Sequence, residues 1–394
     1  MTQEKLFRSF SSVFFLLLFP GFYFYHLAVA SGFIPLVLGG FILPVSLVAV
    51  VLYLPLIKFI LHSCKMRPVY SFLIVSLFVW CNVNALSVFF IESSGYESKA
   101  IIQHFSVMLA WVALLFVGLG LSFEERWFRC AIYISGLAIF FHLYFYVISS
   151  GEVQYIASRY YEVDSGVATH QAFARSALIV SFSLLSIVVA VKKQVLFFLV
   201  CTSLLFILSA RSEFLVFVVA FSFYFLVRLK WQKRGLLGAF FAAFFLLVVG
   251  AYNSEMLMET RQANLLDIAS DQSWLARKKL MSDAVDRIGQ SPFVGQFGGH
   301  FESGGAGSYA HNILSAWDSY GFFAFLLYFF VVLFPLVCSG IMIYKNKHPS
   351  KIQCFMFFVS LSSLVLLLGA KTVFWPIPAL AWGLCLNKKT FGDR

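Results

Sequence analysis

The sequence predicts an all-α polytopic integral membrane protein with about twelve transmembrane helices, and three observations predict it. Apolar residues supply 61% of the 394-residue chain and charged residues only 12%, against roughly 45–50% and 25% in soluble domains. Apolar runs of spanning length recur along the whole chain rather than once, which excludes a soluble protein with a leader or a single anchor. The runs are too long and too uniform for barrel strands, so self-satisfied helices are the form that survives in lipid. The chain therefore reads as one transmembrane domain over 1–394, not as the two or three soluble domains its length would ordinarily suggest.

Twelve spans follow from the hydropathy: 10–30, 33–54, 70–90, 102–120, 130–149, 172–190, 194–210, 213–229, 235–252, 320–341, 353–370 and 372–387, the tenth with a possible start near 311. Basic residues stand at every second boundary. Lys5 and Arg8 precede the first span, and Lys58, Lys65 and Arg67 separate the second from the third. Arg126 and Arg129 follow the fourth, Lys192 and Lys193 the sixth, and Arg228, Lys230, Lys233 and Arg234 the eighth. Lys345, Lys347 and Lys351 follow the tenth, and Lys388, Lys389 and Arg394 the last. By the positive-inside rule these segments are cytoplasmic, and so are both termini. The net charge of +11 thus belongs to topology, and no nucleic-acid partner is needed to explain it. The seven cysteines lie in or beside spans, apart from Cys64 in an inner loop. They read as small buried hydrophobes, without a disulfide framework or thiolate zinc spacing.

Chemistry is expected in the two long outer segments, 150–171 and 253–309, the second being the large periplasmic loop between spans nine and ten. Arg211 is held between spans seven and eight, where it either pairs locally with Glu213 or offers its planar fork to a phosphate. The stretch from Ser270 to Pro292 reads as an amphipathic surface helix near 271–290, with Trp274, Met281, Val285 and Ile288 as its apolar stripe. Arg277 falls on the apolar side, as a snorkelling residue or a second phosphate ligand; Lys278 and Lys279 read as a solvated pair. The glycine-rich run from Gly295 to Gly307 lacks nucleotide-loop spacing. It is read as a flexible flank to a substrate or a mere connector, and His300 is not taken as catalytic. His311-Asn312 stands where the loop re-enters the membrane, and His311 is the histidine suited to proton transfer. Asp318 returns to the same helical face. Arg159 is a candidate third anion contact, Arg175, one turn into span six, is buried enough to need a partner, and His170 reads as structural. No metal site and no cofactor are expected. A transporter would show repeats, mid-membrane helix breaks or paired intramembrane charges; no internal repeat and no acid–base relay across the bilayer is legible, and the polar residues concentrate at one face.

Arg211, Arg277 leading into Leu280-Met281 and Ala284, the run Ser291-Pro292-Phe293-Val294-Gly295, and Ala310-His311-Asn312 before a span containing Gly321 together resemble the bacterial O-antigen ligase/polymerase family. The resemblance covers the second half of the chain; the first five spans share only hydropathy. It departs at Met281, where an aromatic residue is frequent, and at Asp318, which lies three residues before Gly321 instead of next to it. The resemblance implies a metal-independent, inverting glycosyltransferase in the bacterial inner membrane, with its active site facing the periplasm. Arg211, Arg277 and His311 would be its catalytic set, and Arg159, Arg175, Asp318 and Asn312 would bind substrate. The donor would be a glycan on undecaprenyl diphosphate. The acceptor would be lipid A-core for a ligase, the branch the twelve-span layout favours, or a second lipid-linked repeat unit for a polymerase. Membrane lipids are the remaining partners.

Overall fold

The structure is a computed structural model that describes residues 2–35, 40–65, 67–91, 97–151, 155, 170–188, 190–228, 272–301, 305, 307–346 and 348–391. Among these residues it is all-helical in class, 83% helix and without strands. Seven stretches are long and apolar enough to cross a membrane: Gln3–Ala30, Ile42–His62, Pro68–Ser87, Ser98–Gly120, Arg126–Ser150, Leu314–Lys345 and Lys351–Gly369. The protein is membrane-embedded. The expected ninth span, 235–252, lies outside the described residues, as do most of 150–171 and the loop up to residue 271.

Helices α1 (Gln3–Leu16) and α2 (Phe22–Ala30) form one rod joined by a π-turn, Leu17–Gly21. The wider turn accommodates Pro20, which has no amide hydrogen to donate and would clash in an α-turn. Next come α3 (Ile42–Tyr53), α4 (Ile57–Lys65), α5 (Pro68–Ile91), α6 (Glu97–Gly120) and α7 (Arg126–Ser150). Then α8 (His170–Ile187), α9 (Val191–Ile207) and α10 (Arg211–Arg228) form shorter helices on the expected sixth, seventh and eighth spans. The expected surface helix is α11 (Gln272–Gln290). Helices α12 (Leu314–Lys345) and α13 (Lys351–Gly369) follow.

The twelfth expected span departs from a continuous helix. Residues 371–377 are non-helical, and only α14 (Pro378–Leu386), nine residues long, is helical before α15 (Lys388–Phe391). Pro376 and Pro378 disfavour helix in the residues before them. At 1.5 Å per residue α14 reaches about 14 Å, less than half a bilayer core of about 30 Å. Every residue of α14 is buried, because two glycines let its backbone touch α6. A Cβ on Gly383 would lie 2.0 Å from the Leu115 carbonyl oxygen, and one on Gly118 would lie 2.4 Å from that of Leu380. Trp111, Trp382 and Tyr328 fill the space beside this contact.

The helix ends sort into two faces. On one, Asn387 donates to the carbonyls of Gly118 and Leu121, Lys389 pairs with Glu124, and Gln353 donates to Thr390. On the other, Lys371 meets Gln171 and Glu213, and Val373 donates to Ser315. The second face gathers the start of α8, the start of α10, the start of α12 and the segment after α13, which are the ends that charge patterning assigns to one side.

Candidate functional site

The second face is built around a break in α12. Gly321 has φ 79° and ψ 178° inside a helix that otherwise runs from Leu314 to Lys345. Only glycine adopts such a conformation without strain. The break frees the Asp318 carbonyl and the Phe322 amide, which would otherwise bond to each other. The Pro292–Gln296 stretch takes both: Gln296 N donates to Asp318 O at 2.7 Å, and Phe322 N donates to Pro292 O at 3.1 Å. Trp317 Nε1 also donates to Pro292 O at 2.7 Å, and Asn84 Nδ2 to Val294 O at 2.6 Å. Gly295, at φ 79°, lies against the break, and a Cβ there would stand 2.5 Å from the Gly321 amide nitrogen. The Ser291-to-Gly295 run and Gly321 are therefore two halves of one backbone contact, which fixes α11 to α12.

A buried ion pair completes the joint. Arg287 Nε donates to Asp318 Oδ1 at 2.8 Å and Nη2 to Oδ2 at 2.7 Å, with Asp318 only 1% exposed. Both carboxylate oxygens face a guanidinium fork that matches their geometry. Asp318, expected to bind substrate, thus has a residue of α11 as its partner. The packed face of α11 carries Arg277, Leu280, Ala284 and Arg287, spaced by three and four. Most of the expected stripe does not pack: Trp274, Met281 and Val285 are exposed, and only Ile288 is half-buried. At about 100° per residue, the packed face is turned roughly a quarter-turn from that stripe. Half-buried Arg277 lies on the packed face, and Lys278 and Lys279 are exposed.

Beside the joint lies an open cleft of about 310 Å³, lined by His26, Gln171, Arg175, Tyr309, His311 and Lys371 among aromatic and small residues. Among the described residues no acidic side chain lines it. Tyr309 packs on His311, with ring centroids 5.5 Å apart. Among the described residues the His311 imidazole has no hydrogen-bond partner. Burial, followed by the charges of Arg277 and Lys371, lowers its pKa to about 4. It is neutral across the usual pH range and has a nitrogen that can accept a proton. His300 is also lowered to about 4, by burial and by Arg287. It packs among Phe301, Tyr309 and Phe374, near Gln103.

The expected site residues distribute as follows. His311 and Arg175 line the cleft, and the Arg175 guanidinium lies 4.3 Å from the Phe22 ring centroid. Arg277 stands close enough to His311 to act on its charge. Arg211 is the half-buried first residue of α10. The ion pair considered for it is not made with Glu213: the described partners of that carboxylate are Lys371, at 2.7 Å, and Ser212, at 2.7 Å. The side chain of Asn312 accepts from Leu314 N at 3.0 Å and its carbonyl from Ser315 Oγ at 2.7 Å, an Asx-type turn that starts α12. Arg159 lies outside the described residues. Sequence reasoning missed Lys371 and, at Arg287, the partnership with Asp318. A lone cation at an outer turn was available for the first, and a spacing of Arg277, Leu280, Ala284 and Arg287 for the second.

No protein-family model and no curated protein matches this sequence.

Proposed function

We propose that the protein is an O-antigen ligase that transfers a glycan from undecaprenyl diphosphate to a sugar of lipid A-core at the periplasmic face of the inner membrane. One observation carries the reading: His311, neutral and without a hydrogen-bond partner among the described residues, stands in a cleft whose described lining holds cations and no acid. Such a cleft attracts a polyanion and offers a base beside it. Arg211, Arg277 and Arg175 hold the donor diphosphate and stabilise the charge that develops as it leaves. The acceptor hydroxyl attacks C1 of the donor sugar from the face opposite the diphosphate. The new C1–O bond forms as the C1–O bond to phosphate breaks, and His311 takes the hydroxyl proton. A bound diphosphate offsets the positive potential of Arg277 and Lys371, which raises the basicity of His311 when it is needed. Arg287 and Asp318 position α11, and Arg277 with it, against the cleft.

The test uses purified protein with lipid-linked donor and lipid A-core. His311→Ala and Arg211→Ala are expected to remain folded and inserted, yet abolish transfer. Wild-type rates in both would sink the mechanism, and glycolipid movement across proteoliposomes without a new glycosidic bond would favour a transporter. The polymerase alternative shares this chemistry and differs only in its acceptor. Deleting the gene separates the two: a lost ligase leaves bare lipid A-core while long glycan accumulates on the carrier, whereas a lost polymerase leaves core capped by a single repeat.

A further inference from the structure

We propose that Lys371 is a further diphosphate-binding residue of this cleft, held in reserve by Glu213 until a lipid-borne diphosphate displaces that carboxylate. The proposal rests on the reading above that the ligand is a polyprenyl diphosphate. Lys371 follows the end of α13, where its own amide donates to Leu366 O at 2.7 Å. It begins the non-helical stretch that leads to α14, and the bonds from Val373 to Ser315 and from Trp375 to Thr372 hold that stretch in place. Its ammonium stands in the cleft wall with His311 and Arg175, 2.7 Å from Glu213 Oε1 and 3.4 Å from Gln171 Oε1. The two ends of the pair differ: the Lys371 side chain is 12% exposed and that of Glu213 is 1% exposed. Glu213 sits behind the wall, two residues after Arg211, and its other oxygen accepts from Ser212 Oγ.

That arrangement suits an exchange. A lysine is a point charge on a flexible stem, so it can turn from one anion to another without moving backbone. In the empty cleft Glu213 neutralises it and keeps the desolvation of the pair tolerable. A diphosphate brings more charge than a single carboxylate and reaches Lys371 from the open side. Glu213 then keeps Ser212 as a donor and remains close to Arg175, with which it interacts electrostatically. Lys371 joins the anion site from the segment after α13, in the same lining as Arg175 and His311. Lys371 and Arg175 would thus grip one ligand, and the pair with Glu213 would weaken binding of any anion too poorly charged to break it.

Binding in phosphatidylcholine nanodiscs tests the idea with farnesyl diphosphate as the probe. Removing Lys371 alone strands a buried carboxylate, so the informative variant is the double Lys371→Met/Glu213→Gln, which removes both charges together. It is expected to bind the probe roughly 10- to 100-fold more weakly than wild type, the scale of one charge-assisted contact. Lys371→Arg should stay within a few-fold. Glu213→Gln alone should bind more tightly, because it frees the lysine; a merely structural pair would give the reverse. Unchanged affinity in the double variant, or weaker affinity in Glu213→Gln, would overturn the proposal. So would equally strong competition by phosphatidylglycerol, which would place a phospholipid headgroup at Lys371. The binding assay needs no glycan transfer. If transfer is absent while affinities shift as expected, the transferase reading falls and the diphosphate site stands. If transfer proceeds and the double variant keeps its affinity and KM, only Lys371 falls.

Discussion

Arg287 and Asp318 show how a single pair positions the candidate site. Because Asp318 is almost wholly buried, Arg287→Gln leaves a carboxylate without its fork, and such losses cost about 3–5 kcal/mol. Denaturant unfolding in detergent should register that loss, and Arg287→Lys should recover only part of it. Two histidines outside the spans predict a pH dependence. His300 and His311 are lowered from 6.5 to about 4 in the folded protein, so between those values the unfolded chain binds more protons. Stability should therefore fall as pH drops from 6.5 towards 4. His300→Gln and His311→Gln should each flatten the slope of melting temperature against pH in that window. An unaltered slope in both would remove the assigned shifts.

At the scale of elements, Gly321 with Gly295 and Gly383 with Gly118 mark places where backbone meets backbone. A Cβ on Gly321 would stand 2.1 Å from the Phe293 carbonyl oxygen, in a conformation that L-residues rarely adopt. Gly321→Ala should detach the Pro292–Gln296 stretch, destabilise the protein by several kcal/mol and abolish transfer. Limited proteolysis between α11 and α12 would reveal the released segment, and a resistant, active variant would contradict the account of the break. Hydropathy made α5, α6, α7 and α13 legible with boundaries close to those observed. It could not show the break, because Gly321 lies inside an apolar run and its partners are some 25 residues upstream. Nor could it show that α14 is a half-length helix. The prolines were visible, but the burial that makes so short a helix stable comes from α6.

For the whole molecule, charge patterning predicts the orientation. Reporter fusions after residues 165 and 300 should read periplasmic and those after 230 and 348 cytoplasmic. A cytoplasmic reading at 300 would remove the active-site assignment altogether. The sorting of helix ends into two faces agrees with that pattern: Lys389 meets Glu124 on one face, and Lys371 meets Gln171 and Glu213 on the other.

The sequence by itself determined that this is a helical membrane protein, where most of its helices run, and which of its polar residues to examine, His311 and Arg277 foremost. Those properties are local: a bilayer sorts each segment by its own hydropathy and flanking charge. Only the tertiary structure decided that Asp318 belongs to Arg287, that Glu213 belongs to Lys371 rather than to Arg211, and that Arg175 and Lys371 share a cleft with His311. These pairings join side chains from separate helices, and in a low-dielectric interior each buried charge takes whichever opposite charge the packing brings within about 3 Å. No spacing along the chain records that choice.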